Sequence, residues 1–376
     1  MTRTVLDADV VVAGLGVHGT AAAYELAARG RRVIGFDRFG EGHRRGSSHG
    51  RTRMIRRAYP NPVWNPLVER AYVGWRRWER RTGETLLHRT GGLYAHPEPG
   101  QLQGPGCETV SDPDRLRELA PGLSLPDGWH AVSDPDAGVL EAGAALHAAR
   151  AAARTDGAEL SFDEPVLSWM PVGSGPDAGV VVHTGRRSVR ARRLVVATAG
   201  WVPDLVPELG GLFSTWRILT VTLRPGHPAA VPPSLPAFSV HRPQGLMFGL
   251  PDVAGSGYKA GTDTERIWGP ERPVDPAAAD EVAALCTLMS RHVPEVPAHP
   301  STDVAEARAC LYTMTTDRRF VIGRLPATPQ VVVTAACSGH GFKFGPAVGE
   351  AAADLCDGID RPDLDFVGVT RRLTAA

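Results

Sequence analysis

Three glycines near the start of the chain have the spacing of a loop that binds a dinucleotide: Gly14, Gly16 and Gly19. The apolar run at 9–13 predicts a buried strand before them, the alanine-rich segment after them predicts a helix, and Asp37 closes the next strand. Such glycines let a pyrophosphate approach the backbone at the helix N-terminus, and the acid can accept hydrogen bonds from ribose hydroxyls. The unit predicts a bound dinucleotide but does not distinguish FAD from NAD.

A basic segment, GSSHGRTRMIRR at residues 46–57, follows this unit and contains His49, Arg53 and Arg56. Its guanidinium groups could bind an anion through charge-assisted hydrogen bonds. A solvated basic loop or a nucleic-acid contact would also explain the charge. The whole chain has 41 basic and 41 acidic residues, and the segment has no interleaved aromatic side chains. We therefore expect no nucleic-acid partner.

Lysine is rare in this chain. Of the 41 lysine and arginine residues, only Lys259 and Lys343 are lysine, and both lie in glycine-rich segments. A lysine kept in an arginine-biased chain indicates a need for a compact charge with a tunable pKa. Chance retention of two lysines is the alternative.

The cysteines do not form a recognisable framework. There are five, and none belongs to a CxxC pair. The odd number and the spacing argue against a set of disulfides or a zinc site, and we expect no metal.

Four segments together resemble the monomeric sarcosine oxidase and N-methyltryptophan oxidase family, FAD-dependent amine oxidoreductases of the D-amino-acid-oxidase-like superfamily. They are residues 46–57, GYKAGTD at 257–263, CLYTMTTDRRFVIG at 310–323 and SGHGFKFG at 338–345. The resemblance implies a mixed α/β (α+β) fold like that of p-hydroxybenzoate hydroxylase, with a Rossmann-type FAD-binding domain and an inserted substrate domain built on an antiparallel or mixed sheet. It also implies that dioxygen oxidises a carbon–nitrogen bond of a small amino acid, giving an imine, then an aldehyde and an amine, and hydrogen peroxide.

The resemblance also assigns roles to individual residues. Arg56 and Lys343 would bind the substrate carboxylate, and Lys259 would lie over the flavin and promote the reduction of dioxygen. Cys310 would carry a thioether bond to the flavin, with Cys337 as a rival outside the matching position. The other residues expected beside the substrate or the reacting atoms are Arg53, His49, Asp263, Tyr312 and Phe248. The other residues expected to bind FAD are Gly14, Gly16, Gly19, Asp37, Arg38, Ser47, Ser48, Thr52, Arg53, Gly200, Gly339, Gly341, Phe342 and Lys343.

Asp263 departs from the family pattern, which has a substrate-contacting histidine at this position. The carboxylate could pair with a second, basic nitrogen of the substrate, or it could face solvent. The identity of the substrate therefore stays open. Two alternatives remain: a flavin-dependent tailoring oxidase or dehydrogenase of a larger or cyclic amine, and an inactive nucleotide-binding module.

Hydrophobic periodicity predicts the elements that position these residues. One helix is expected to begin at an N-cap, Asn65, and to end at Gly83, with Trp75 and Trp78 facing the core. Further helices are predicted at 142–154, 281–292 and 347–355, strands at 32–36, 194–200, 319–323 and 330–336, and antiparallel strands within 216–262. Rossmann elements thus occur at both ends of the chain. We predict a discontinuous FAD-binding domain of residues 1–85, 140–215 and 310–376, and a substrate domain of residues 86–139 and 216–309.

Size and composition suit a globular two-domain protein of 376 residues, 43% of them apolar. No apolar run approaches the length of a membrane span, and the N-terminus lacks the organisation of a signal peptide. We therefore expect a cytoplasmic protein without a membrane partner, and the resemblance implies a monomer that acts on a small amine and dioxygen.

Overall fold

The computed structural model describes residues 7–175, 178–226, 234–274, 276–299, 303–335 and 338–371, and Cys337 lies outside this part. Helices α1 to α7 span Val17–Ala28, Asn65–Thr82, Pro113–Leu119, Ala142–Thr155, Val202–Leu205, Ala279–His292 and Gly345–Cys356. Strands β1 to β10 span Ala8–Ala13, Val33–Phe36, Thr52–Ile55, Leu87–Arg89, Gly92–His96, Glu108–Val110, His130–Asp134, Gly138–Glu141, Glu159–Ser161 and Val166–Val172. Strands β11 to β19 span Gly179–Thr184, Ser188–Val196, Ser214–Leu223, Ala237–Val240, Met247–Leu250, Lys259–Thr262, Val304–Met314, Val321–Arg324 and Val331–Ala335.

The first of two eight-stranded sheets carries the glycine motif. Its strand β1 runs parallel to β2 and β12, so that Val12 lies opposite both Gly35 and Val195. The apolar strands are covered on both faces, as is usual for parallel sheets, with α1, α2, α4 and α7 packed into one core cluster and α5 into another. These layers hold the carboxyl ends of β1, β2, β12 and β19 along one edge.

The second eight-stranded sheet has the order β17-β13-β16-β15-β14-β5-β7-β6, and only its β14–β5 pair is parallel. Strand β17 follows β13 along its length, and this register places Arg308 opposite Thr220 and Cys310 opposite Ile218. Since residues opposite each other share a face, Arg308, Thr220 and Gly261 lie on the same side of the sheet. Helix α6 contributes to the apolar cluster of this sheet. Strands β3, β8 and β4 form a small third sheet.

Helix α2 follows the prediction at its C-terminus but not at its N-terminus. Gly83 ends it in the left-handed conformation, with φ +73°, and both predicted tryptophans are fully buried. The assignment of Asn65 as the N-cap was wrong. A 3₁₀ turn at Pro62–Trp64 leads directly into the helix, and Asn61 caps that turn by accepting a hydrogen bond from the Val63 N–H at 2.9 Å.

The remaining predicted helices and strands are confirmed, with ends displaced by a few residues. The mixed α/β fold is confirmed as well. The division of the chain into an FAD-binding and a substrate domain stays a prediction. Within the described residues, no helix has both the length and the apolar composition needed to cross a membrane.

Candidate active site

One cavity of about 650 Å³ brings the chemically distinctive segments together. On one side it is lined by residues at the carboxyl ends of the first sheet's strands, among them Ala13, Phe36 and Ala335. The opposite wall is the face of the second sheet that carries Arg308 and Thr220. In open parallel sheets, this edge is where ligands bind.

The glycine motif forms the wall at the end of β1. Gly14 has φ +89°, and a Cβ there would lie 2.7 Å from the carbonyl oxygen of Ala197, so a side chain cannot be accommodated. At Gly16 a Cβ would lie 3.1 Å from Oγ of Ser48, whose oxygen accepts the Val17 N–H at 2.9 Å. Helix α1 therefore starts at the cavity, with the positive end of its dipole toward it. This backbone cradle fits a pyrophosphate.

Asp37 lies at the end of β2 and lines the same cavity. Its carboxylate accepts hydrogen bonds from the Leu15 N–H at 2.8 Å and the Phe39 N–H at 3.0 Å, and His43 Nε2 lies 3.4 Å away. Burial raises the pKa of this carboxyl, but the hydrogen bonds from His43, Phe39 and Leu15 outweigh it, and the net pKa is lowered. The group is thus an anionic acceptor in the position expected for a ribose-binding acid.

Two glycines and one arginine of the predicted cofactor set have mainly structural contacts. Gly19 and Gly200 do not belong to the described cavity lining. A Cβ at Gly19 would lie 1.7 Å from the Gly14 oxygen, so glycine is required for close packing of α1 on β1. Arg38 lines the cavity, but its guanidinium donates to Asp204 at 2.8 Å.

Arg53 organises the basic segment from within. Its guanidinium donates to the carbonyl oxygens of Ser47 at 2.7 Å, His49 at 2.5 Å and Thr52 at 2.8 Å. The guanidinium carbon also lies 5.4 Å from the ring centroid of Phe342, a cation–π distance. Arg53 thus ties the basic segment to the distant loop 339–343 and keeps a positive charge in the cavity wall.

The described contacts of His49 define which of its nitrogens carries the proton. Nη1 of Arg308 lies 3.1 Å from Nδ1. Because a guanidinium only donates, Nδ1 must accept, and the proton of the neutral ring then belongs to Nε2. Nε2 is buried and lacks a hydrogen-bond partner within the described part of the chain. Burial, followed by the charges of Arg53, Arg308 and Lys259, lowers the pKa of His49 to about 3. His49 is therefore a neutral donor.

Lys259 lies at the start of β16 and shares an acceptor with Arg53. Its Nζ donates to the carbonyl oxygen of Thr52 at 2.8 Å. Burial lowers the pKa of Lys259 to about 7, with a further lowering by Arg53 and an opposing effect of Cys310. The ammonium group can therefore lose its proton near neutral pH.

Arg56 and Lys343 come from opposite ends of the sequence and meet at Tyr59. The Arg56 guanidinium carbon lies 5.0 Å from the Tyr59 ring centroid, and Nζ of Lys343 donates to the Tyr59 hydroxyl at 3.2 Å and to the His340 oxygen at 2.8 Å. Both cations line the cavity. Among the described residues, no carboxylate lies within salt-bridge distance of Arg56. The pair is suited to binding a carboxylate ligand.

Four further predicted residues lie along the second sheet and the loop facing it: Cys310, Tyr312, Phe248 and Gly339. Cys310 is buried, and its charge interaction with Lys259 places the two side chains near each other. Gly339 has φ +77°, and a Cβ there would lie 2.9 Å from the Tyr312 ring. The remaining predicted lining residues that the structure also brings to the cavity are Ser47, Ser48, Thr52, Gly341 and Phe342.

Asp263 is not brought into the described cavity lining. Its Oδ1 accepts the Leu246 N–H at 2.5 Å, and its Oδ2 lies 3.6 Å from Nη1 of Arg318. The carboxylate is thus engaged by the chain itself, because β16 ends at Thr262 and directs the next residue toward the turn that carries Leu246. The structure therefore does not bring Asp263 into the cavity with the other predicted site residues, and its side chain is partly exposed.

Sequence reasoning missed Arg308, Tyr59 and His340 as site residues. Arg308 could have been inferred indirectly from Cys310. It lies two residues before Cys310 in β17, and residues two apart in a strand share a face. His340 lies within the SGHGFKFG segment, and Tyr59 lies two residues after the end of the basic segment. Burial, then the neighbouring Lys343 charge, holds the pKa of His340 well below its usual value.

The sequence pattern of the FAD dependent oxidoreductase family matches residues 9–355. The chain belongs to this family. The monomeric sarcosine oxidase of Streptomyces avermitilis is 34% identical to it over 92% of this chain and 93% of the relative. An N-methyl-L-tryptophan oxidase of Yersinia pestis is 30% identical over 93% and 94%. Among solved structures, NikD, an unusual amino acid oxidase essential for nikkomycin biosynthesis, superposes with a TM-score of 0.81 and 26% identity over 98% of this chain and 99% of NikD.

The geometry of this FAD-dependent oxidoreductase fits its family's cofactor. The glycine cradle suits the pyrophosphate and Asp37 the ribose, while the buried Nε2–H of His49 lacks the acceptor that a bound ring system could offer. The predicted resemblance to the sarcosine and N-methyltryptophan oxidases and the prediction of an FAD-dependent enzyme are confirmed.

Proposed function

We propose that this oxidoreductase oxidises the carbon–nitrogen bond of a small amino acid that carries an N-methyl or other secondary amine. The products are an imine, which water hydrolyses to an aldehyde and an amine, and hydrogen peroxide. Similarity to sarcosine oxidase and N-methyl-L-tryptophan oxidase supports this substrate class. The convergence of Arg56 and Lys343 at Tyr59 is the observation that carries the proposal, because it provides a carboxylate clamp inside the cofactor cavity.

Each residue of the chain then has a defined task. Arg56 and Lys343 bind the carboxylate and so orient the amine, which must be uncharged to react. FAD, when bound, would supply the electron-accepting chemistry, with dioxygen as the final oxidant. The cationic groups of Arg53 and Lys259, both on the Thr52 oxygen, stabilise negative charge that develops beside them. His49, held neutral, contributes a hydrogen bond and no general base.

Cys310 is proposed as the covalent attachment point of the flavin. The residue is buried, lines the cavity and interacts electrostatically with Lys259. Cys310 also lies in the segment that resembles the family's attachment sequence. We further propose a cytoplasmic monomer, in line with the name of the monomeric sarcosine oxidases it resembles. In the proposed division, residues 1–85, 140–215 and 310–376 bind FAD, and residues 86–139 and 216–309 bind substrate.

A larger or cyclic amine is the second candidate substrate, which a biosynthetic tailoring enzyme would act on. Two observations favour keeping it. The chain is similar to NikD over almost its whole length, and Asp263 replaces the histidine expected beside a small substrate while its carboxylate is engaged by Leu246 and Arg318. Asp263 therefore does not offer the cavity the substrate contact that the resemblance expects of the histidine.

The purified holoenzyme tests both candidates. Sarcosine, larger N-methyl amino acids and cyclic amino acids are added anaerobically, and bleaching of the flavin absorption is recorded, followed by hydrogen peroxide after air is admitted. We expect bleaching and peroxide with at least one amine that carries a carboxylate, and neither with the matching decarboxylated amine. Equal rates with and without the carboxylate would contradict the clamp, and a flavin that no amine bleaches would favour the inactive module.

A further inference from the structure

A second cavity, of about 660 Å³, lies outside the site described above and shares no lining residue with it. It is bounded by β13, by the turn at 242–244, by Thr262 at the end of β16, by residues 264–266 after it, and by helix α6. Nothing in the proposed oxidation uses it.

The lining of this second cavity is strongly basic. It contains four arginines and two glutamates: Arg217, Arg242, Arg266, Arg291, Glu265 and Glu281. Glu281 is already engaged, because it accepts both Nη atoms of Arg217, at 2.8 and 3.0 Å, and also pairs with Arg266. Its second oxygen further accepts the Ala278 N–H at 2.9 Å. Glu265 forms no salt bridge within the described residues, so neither acid of the cavity pairs with its remaining cations.

Arg242 and Arg291 are those remaining cations. Across the described residues, neither has a carboxylate within salt-bridge distance. Nε of Arg242 is buried and has no hydrogen-bond partner in the same part of the chain. Burial lowers the pKa of Arg242, Asp263 partly offsets this, and Arg291 lowers it further. Arg242 is partly exposed and Arg291 is exposed, so a bound anion would offset mainly the cost of holding Arg242 without a carboxylate in direct contact.

We propose that the second cavity binds a small oxyanion, a carboxylate or a phosphate group, between Arg242 and Arg291. Guanidinium groups suit this chemistry because their planar N–H pairs match two oxygens of one anion. The proposal does not depend on the amine oxidation proposed above.

The turn that carries Arg242 also reaches the first cavity, which Leu246 lines. It is fixed by the bond from the Leu246 N–H to Asp263 and by the Thr264 hydroxyl, which donates to the Gln244 oxygen at 3.2 Å. Gly245 has φ +114°, and a Cβ there would lie 2.9 Å from the Asp263 carboxylate. Asp263 thus fixes the turn in the wall between the two cavities. An oxyanion bound at Arg242 would contact the same turn that reaches the active site through Leu246.

Isothermal titration of the FAD-loaded enzyme with inorganic phosphate, and separately with succinate, tests the proposal. Chloride keeps the ionic strength constant, because screening alone would otherwise alter the signal. Because the carboxylate clamp of the first cavity can itself bind succinate, sites are counted in Lys343→Met, in which that clamp is broken, and we expect one saturable site per chain for at least one of the two anions. Saturable binding of phosphate alone would indicate a phosphate ligand. Saturable binding of succinate alone would indicate a carboxylate ligand.

Variants locate the bound anion. Arg242→Gln and Arg291→Gln should each weaken binding of the anion by about tenfold, which corresponds to roughly 1.4 kcal/mol of binding free energy. The control Arg117→Gln, at an exposed arginine of α3, should bind as the wild type does, and Lys343→Met should lose only the part of succinate binding that belongs to the first cavity. Thermal unfolding without anion verifies that each variant is folded. The proposal is overturned by the absence of saturable binding, by unchanged binding in both cavity variants, or by its loss in Lys343→Met.

Discussion

Replacing Arg308 should remove the preference of neutral His49 for one tautomer, and this change can be measured directly. In the wild type, the Arg308 guanidinium donates to Nδ1 at 3.1 Å, while Glu306 holds the other side of the guanidinium through Nε at 3.0 Å. Hydrogen bonds that involve a charged group contribute about 1.5–3 kcal/mol. This energy corresponds to a preference of roughly tenfold to a hundredfold for the Nε2–H tautomer. Arg308→Leu removes the preference, and Arg308→Lys, which also only donates, should restore it.

Nitrogen-15 NMR of histidine-labelled enzyme distinguishes the two states, because a ring nitrogen with a proton and one without resonate in separate regions. The His49 signals are identified by their loss in His49→Asn. We expect a bare Nδ1 and a protonated Nε2 in the wild type and in Arg308→Lys, and averaged signals in Arg308→Leu. The pattern should not change between pH 5 and 9, since the pKa of His49 is lowered to about 3. A protonated Nδ1 in the wild type would refute the reasoning.

Three other substitutions test the proposed site. Lys343→Met should weaken the binding of a carboxylate inhibitor by roughly 30-fold or more, because loss of a buried charged partner costs about 2–5 kcal/mol. Titration of the flavin spectrum with the inhibitor measures this change, and Arg115→Gln on α3 is the control. Lys259 loses its positive charge as the pH rises through its pKa of about 7, so reoxidation of the reduced enzyme in stopped flow should slow above that pH, and Lys259→Met should be slow and independent of pH. Cys310→Ser should release FAD on acid precipitation, whereas the wild type and Cys286→Ser keep it in the pellet; release from the wild type would rule out a covalent bond.

The local parts of this site could be predicted from sequence because their signals are local. Gly14, Gly16 and Gly19 are spaced by the geometry of one turn, and Asp37 follows from the length of one βαβ unit. The same holds for the helix and strand positions, which hydrophobic periodicity determines. Asn65 shows the limit: whether it caps a helix depended on the turn that Asn61 begins, and two asparagines so close together compete for the same role.

Contacts between distant segments could not be predicted from residue types alone. Tyr59 and Lys343 are joined by a hydrogen bond although they lie 284 positions apart in the sequence. Only the resemblance to a family suggested that their segments meet. Arg308 bonds to His49 because β17 pairs with β13 in one particular register. A shift of that register by one residue would turn Arg308 away from the cavity. The sequence contains the alternation but not the register.

The two cations on the Thr52 oxygen favour an anionic occupant of the cavity. Arg53 and Lys259 both donate to that single carbonyl, with Arg308 in the same wall. Their mutual repulsion and their burial together make Lys259 a weaker base than usual. Binding of an anion, whether a phosphate group, a substrate carboxylate or developing negative charge, therefore relieves an electrostatic cost already present in the folded chain. A neutral occupant of the same shape would leave the repulsion between the cations in place. The folded chain should therefore bind an anionic occupant more favourably than a neutral one.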